Sequence, residues 1–245
     1  MQTILFQDLG KMDYGVAWEY QETLMQANLR IKAARYNSPV ANIPVEKDTQ
    51  HHLLFCEHPH VYTLGKSGHI GNLLVNDTRL KELNVSFFKT NRGGDITYHG
   101  PGQVVGYPIL DLEHFVTDLG KYMRNLEEVI IRTLSHYDIA AGRLPGATGV
   151  WLDADVKGKA RKICAMGVRC SRWVTMHGFA FNVNTDLQYF NYIVPCGITD
   201  KSVTSLQKEL GRNIDIQEVK YILWHEFGTV FEAEIVNVEA KEAVI

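Results

Sequence analysis

Three short stretches of this chain hold residue types that could do chemistry. The run Ile193-Val194-Pro195-Cys196-Gly197-Ile198 places a thiol between proline and glycine. Proline stiffens the approach, and Gly197 leaves the thiol and its neighbouring N–H sterically open, which suits a nucleophile. The commoner state of a cysteine is a small, inert, buried hydrophobe, and Cys56, Cys164 and Cys170, set in apolar runs, fit that state better. The second stretch, Arg92 to Gln103 (RGGDITYHGPGQ), crowds four glycines and one proline among arginine, tyrosine and histidine. A plain turn between strands needs the glycines but not those side chains, so the segment reads as backbone that passes close to a ligand. The third runs from Lys157 to Arg172 and carries Lys157, Lys159, Arg161, Lys162, Arg169 and Arg172 with no acidic residue. Either a solvated hairpin face or a docking surface for an acidic partner accounts for such an island.

Other candidates carry less. Gly65-Lys66-Ser67 imitates the end of a phosphate-binding loop, but His60 stands where the first glycine is required. Cys56, His58 and His60 alternate as metal ligands could, and also as residues on one face of a strand do, with no second ligand cluster in the chain. His225-Glu226 lacks the second histidine of a zinc-protease helix.

Hydrophobic periodicity supplies the elements that must position these groups. Residues 3–6 read as a strand, and 14–35 as an amphipathic helix capped by Asp13, with Val16, Tyr20, Leu24, Ala27, Ile31 and Ala34 on its apolar face. A polar loop with two prolines follows at 37–50. The runs HHLLFC and HVYTL around Pro59 read as neighbouring strands, with further strands at 85–89 and 103–110. A second helix is expected at about 118–137. Strands at 149–153, 162–170 and 178–183 suggest a meander, and a third helix near 216–231 opens with Asp215 and Glu218 in capping-box register. No repeat or convincing linker interrupts the pattern, so the fold class is mixed α+β in a single domain over 1–245.

The 245 residues are 45% apolar and 22% charged, which fits an ordinary globular domain and excludes disordered or collagen-like chains. Lys+Arg 25 against Asp+Glu 28 gives a net charge of −3, against the basic footprint of nucleic-acid binders. No apolar run reaches the ~20 residues of a membrane span, and the N-terminus lacks the pattern of a signal peptide. Four cysteines without a C-x-x-C pair read as reduced thiols. A cytoplasmic protein that binds neither nucleic acid nor membrane is expected.

Taken together, the three stretches resemble the lipoyl(octanoyl) transferase family. Arg92-Gly93-Gly94 followed by Thr97-Tyr98-His99, Gln103 and Tyr107 is similar to the family signature, and Glu57-His58-Pro59 with Tyr62-Thr63-Leu64-Gly65 to its upstream companion. Lys162-Ile163 with Gly167-Val168-Arg169, then His177-Gly178 with Asn182-Val183, resembles the lysine-bearing strands. Pro195-Cys196-Gly197 with Val203-Thr204-Ser205-Leu206 resembles the nucleophile segment. The resemblance implies the fold of biotin and lipoate protein ligases, a mixed sheet flanked by helices. It implies that octanoyl passes from octanoyl-acyl carrier protein to Cys196, then to a lysine of a lipoyl domain, in 2-oxoacid dehydrogenase complexes or the glycine cleavage H protein. No metal, cofactor or ATP is implied, because a thioester is already activated.

By the same correspondence Cys196 and Lys162 are catalytic. The acyl and pantetheine site is lined by Arg92, Gly93, Gly94, Asp95, Ile96, Thr97, Tyr98, His99, Ala165, Met166, Gly167, His177, Gly178, Phe179 and Ala180. A thiol of pKa ~8.5 is only a few per cent thiolate at neutral pH, so it needs a cationic neighbour, and Lys162 is the candidate that the resemblance names. His99 and His177 are alternative bases. Oxyanion donors could come from Cys196, Gly197 or the 93–94 glycines, though not from Pro195, which has no N–H. The rival readings are an ATP-dependent lipoate or biotin ligase, in which Cys196 is incidental, and a non-catalytic carrier-domain binder.

Overall fold

The computed structural model describes residues 1–37, 48–194 and 202–238. The proposed nucleophile Cys196, with Pro195 and Gly197, lies outside the described residues, as does most of the 37–50 loop.

The larger sheet is built from β1 (Gln2–Lys11), β2 (His51–Glu57), β6 (Gln103–Ile109), β7 (Gly142–Leu144), β8 (Ala147–Leu152), β9 (Arg161–Ser171), β10 (Val174–Asn182) and β12 (Ala233–Asn237), in the order β12-β1-β2-β6-β10-β9-β8-β7. The short β11 (Ser202–Val203) pairs parallel with β9 off this path. A smaller sheet runs in the order β4-β3-β5, from β3 (Val61–Leu64), β4 (Ser86–Lys89) and β5 (Ile96–His99). The expected meander is present as β8, β9 and β10, antiparallel in sequence. The two strands around Pro59 are not neighbours: β2 pairs with β1 and β6, whereas β3 pairs with β4 and β5. The short connection carries the chain from one sheet to the other.

Strand alternation makes the larger sheet two-faced. Leu53, Phe55, Val104, Phe179 and Phe181 join one core with Leu126, Val129 and Ile130 of α3 (Leu119–Ser135) and Val219, Leu223 and Phe227 of α5 (Ile216–Phe231). Leu54, Cys56, Val105, Met176 and Ala180 face the other way and pack on Ala17 and Met25 of α1 (Tyr14–Asn37). The short α2 (Asp77–Glu82) contributes Leu80 to the core under the small sheet, and α4 (Leu206–Leu210) places Leu206 in the larger core.

Two sequence readings change. Helix α1 buries Tyr14, Ala17, Gln21, Met25 and Asn28, while Val16 is 49% exposed, so the buried stripe is displaced from the one that apolar spacing suggests. Polar Gln21 and Asn28 sit on the buried face because each serves backbone: Gln21 Oε1 accepts from the His177 N–H, and Asn28 exchanges two bonds with Gln50. The basic island does not exist as a patch. Arg161 is held by Asp153 and Glu209, Arg169 by Glu22 of α1, and Lys162 lines a cavity, leaving Lys157 and Lys159 exposed on the β8–β9 turn and Arg172 exposed at the far end of β9.

Candidate active site

A cavity of about 580 Å³ opens between the two sheets, under the N-terminal end of α3. Its floor is the centre of the large sheet. Gln103, Val105 and Tyr107 of β6 line it at every second position, and Asn182 and Ala180 of β10 stand opposite Gln103 and Val105 in the ladder. Ala165, Met166 and Gly167 of β9 pair with Ala180, Phe179 and Gly178, and all six line the cavity.

The glycine-rich segment forms one wall, and its position follows from backbone contact. Gly93 N–H donates to Val168 O at 2.8 Å, and a Cβ at Gly167 would lie 2.7 Å from Gly93 O. Only glycine at 167 lets the segment lie this close to β9. From the other side the turn after β3 binds it, with Gly65, Lys66 and Ser67 N–H donating to the carbonyls of Asp95, Arg92 and Gly94. The imitation phosphate loop is thus a clamp on the glycine segment. Part of that segment is strand β5, which its glycine content hides.

Arg92 is 7% exposed and binds inward. Its guanidinium donates to Thr63 O at 2.6 Å, Thr63 Oγ1 at 2.9 Å, Asp95 O at 2.8 Å and Gly93 O at 2.9 Å, so it shapes the wall it belongs to. From Thr63 a buried chain continues. Gln103 Nε2 donates to Tyr98 O and Asn182 Oδ1, which fixes its Oε1 as acceptor for His99 Nδ1–H at 2.8 Å. That tautomer leaves His99 Nε2 to accept from the Thr63 hydroxyl at 3.3 Å. Asn182 Nδ2 donates to Thr204 O, and Thr204 N–H donates to Lys162 O. Both ring nitrogens of His99 are therefore committed to protein partners.

Burial, His58 and the Arg92 cation keep His99 well below its ordinary pKa. His177, buried near Arg92 and Arg169, is lowered to about 3. Both imidazoles are therefore neutral at neutral pH, and burial makes each a weak base. His177 is also a positive-φ residue in a strand (φ 59), held by Gln21 and by a 2.7 Å bond between its Nε2 and Asn91 Oδ1. Tyr14, raised to about 12 by burial, stays protonated on the cavity wall.

Lys162 lines the cavity from β9, opposite Trp151 of β8 and in register with Val203 of β11. The chain on either side of 195–201 is anchored: Val194 N–H donates to Asn72 O at 2.8 Å, and Thr204 Oγ1 bonds Glu209, which binds Arg161 through both oxygens at 2.7 Å.

Of the residues expected in the site, Arg92, Gly93, Gly94, Asp95, Ile96, Thr97, His99, Lys162, Ala165, Met166, Gly167, His177, Gly178, Phe179 and Ala180 line this cavity. Tyr98 does not. Its ring packs in the core of the small sheet against Tyr62, Tyr189 and Phe190, and its hydroxyl meets His60 Nδ1 at 2.7 Å. Tyr14, Gln103, Val105, Tyr107, Met123, Asn182 and Val203 line it without having been expected to. The period of two through Gln103, Val105 and Tyr107 was the available signal. Cys56 and Cys164 are fully buried, with thiols pushed up by desolvation, as inert cysteines are. Cys56, His58 and His60 do not converge as a trio: Cys56 Sγ meets His58 Nε2 at 3.4 Å, but His58 also binds Met12 O and Tyr107, and His60 turns to Tyr98.

Residues 13–228 match the family described as lipoyl protein ligase A/B catalytic domain. The chain is 51% identical over 238 residues to the octanoyltransferase of Cytophaga hutchinsonii, covering 96% of both chains. To the octanoyltransferase of Flavobacterium johnsoniae it is 57% identical over 236 residues, covering 95% of this chain and 98% of that one. Among solved structures, lipoate-protein ligase A bound with ATP superposes with a TM-score of 0.64 at 16% identity, covering 98% of this chain and 90% of that one. The bipartite lipoate protein ligase of Thermoplasma acidophilum gives 0.64 at 16% identity, with 98% and 88% covered. The mixed sheet flanked by helices is therefore the lipoate protein ligase fold, and the chain belongs to the lipoyl protein ligase A/B catalytic-domain family.

Proposed function

We propose that this chain transfers an octanoyl group from an acyl carrier protein to a lysine of a lipoyl domain through a thioester on Cys196, with Lys162 as its proton partner. The observation that carries this reading is the lysine in the cavity wall, with Val203, which follows the cysteine-bearing segment, in register beside it. The relatives named octanoyltransferase, at 51% and 57% identity, support the octanoyl group. A volume of about 580 Å³ lies within the ~300–1,000 Å³ usual for ligand sites, and apolar Val105, Met123, Met166 and Phe179 suit an alkyl chain. Each methylene buried there contributes ~0.8 kcal/mol.

The proton balance fits one lysine. The Cys196 thiolate, stabilised by the Lys162 ammonium, attacks the carrier thioester; its C–S bond breaks and the departing pantetheine sulfur takes a proton from Lys162. The acceptor lysine then attacks the acyl-enzyme as a neutral amine, losing a proton to the now neutral Lys162 amine as Cys196 leaves as thiolate. The ion pair is regenerated, no ATP is consumed, and neither site histidine needs to carry a proton. Lipoyl domains of 2-oxoacid dehydrogenase complexes and the glycine cleavage H protein are the proposed acceptors. One catalytic domain does this work in the cytoplasm, where cysteines stay reduced; no helix among the described residues is long and apolar enough to cross a membrane.

Intact mass after mixing with octanoyl carrier protein tests the reading. An octanoyl adduct without ATP, lost in Cys196→Ala and kept in Cys56→Ala, Cys164→Ala and Cys170→Ala, is expected. An ATP requirement points to a ligase, and binding without an adduct to a carrier-domain binder; either result overturns the transferase.

A further inference from the structure

Trp151 is buried at 2% exposure and stands directly across the β8–β9 ladder from Lys162. Residues opposite one another in an antiparallel pair project to the same side of the sheet. Lys162 Nζ lies 4.6 Å from the centroid of the Trp151 ring, within the distance at which an ammonium is held by the ring's negative face. A register shift between Val150 and Trp151 sets this pairing up. At its foot, Gly149 has φ +106, and a Cβ there would lie 2.4 Å from Cys164 O, so only glycine lets β8 take this path against β9. Local irregularities of this kind re-aim side chains. Here one turns the indole under the lysine.

We propose that Trp151 is a positioning residue for acyl transfer: its indole face seats the Lys162 ammonium against the cavity wall and thereby sets how much positive charge the Cys196 sulfur feels. This rests on the reading of Cys196 and Lys162 as the reacting pair. Lysine is a compact charge on a flexible four-carbon stem, and a ring face beneath it narrows the set of positions its ammonium occupies. Trp151 is absent from the cavity lining, so it acts through Lys162 rather than on substrate. Indole is the strongest cation-binding ring among the side chains, which a merely space-filling core residue does not require.

The test replaces Trp151 site-specifically by singly, doubly and triply fluorinated tryptophan, which keep the ring's shape while draining charge from its face. The rate of Cys196 alkylation by iodoacetamide, located by peptide mass, is followed against pH. The midpoint should rise stepwise with fluorination, and the neutral-pH rate should fall by about two- to fivefold at the heaviest substitution, with kcat for acyl transfer falling in parallel and KM unchanged. Trp151→Phe should lie between the wild-type chain and Trp151→Leu. Superimposable pH profiles for all ring variants, with a shifted profile for Lys162→Met, would remove Trp151 from the mechanism and leave the pair standing. Profiles unmoved even by Lys162→Met would remove the pair itself, and the role of Trp151 with it.

Discussion

Replacing Gln103 by leucine tests whether the buried polar chain holds the site together. Gln103 is 1% exposed and makes three bonds: it accepts from His99 Nδ1 and donates to Tyr98 O and Asn182 Oδ1. Leucine fills much of the same space but strips a partner from all three groups in one step. A buried polar group left unpaired costs ~1–3 kcal/mol. The low end of that range for each of the three groups gives a total of ~3 kcal/mol. For a chain of this size ~1 kcal/mol moves the melting midpoint by ~2–4 °C, so the variant should melt ~6–12 °C lower. Octanoyl transfer, assayed well below that midpoint with carrier-bound donor and lipoyl domain, should fall more than the folded fraction does. Loosening this chain frees Thr204, whose N–H bonds the Lys162 carbonyl. A variant that melts within ~2 °C of the parent would refute the reasoning, because three unsatisfied buried groups could not be accommodated so cheaply.

Two further outcomes follow from the charges. Burial lowers His52 to about 4 and His177 to about 3 from an ordinary 6.5, so the unfolded chain takes up protons before the folded one does. Stability should therefore be complete above pH ~6.5 and fall by up to ~1.4 kcal/mol per pH unit for each histidine as the pH drops toward ~4; urea unfolding at neutral and mildly acid pH checks this, and a flat dependence contradicts the buried neutral state. For docking, Lys157→Glu with Lys159→Glu on the β8–β9 turn should lower kcat/KM for the carrier-bound donor at low salt more than for a small octanoyl thioester, whereas Arg172→Glu, about 33 Å away from Lys162 along β9, should not. Equal losses with both donors would mean that the turn serves the fold or the cavity.

Local periodicity determined most of the elements. Three main helices and the strands through the centre of the sheet stand where apolar spacing puts them, because a buried face must repeat at 3.6 or at 2 whatever it packs against. The chemical strings were also local: Arg92 to Gln103 and Lys162 to Gly167 owe their legibility to glycines packed around functional side chains. What spacing could not decide was partnership. Gln21 and Asn28 spoil the apolar stripe of α1, since their value lies in backbone groups 156 and 22 residues away. Six basic residues in sixteen positions look like one patch in sequence, yet Glu22, Asp153 and Glu209 reach two of them only after folding. Tyr98 belongs to the signature string, but strand alternation turns its ring to the opposite side from Thr97 and His99, into the small-sheet core. The pairing of Trp151 with Lys162 depends on a register shift that no window of sequence displays. Sequence sets which residues are available and which face each presents; only the tertiary structure, by closing long loops, decides which of them meet.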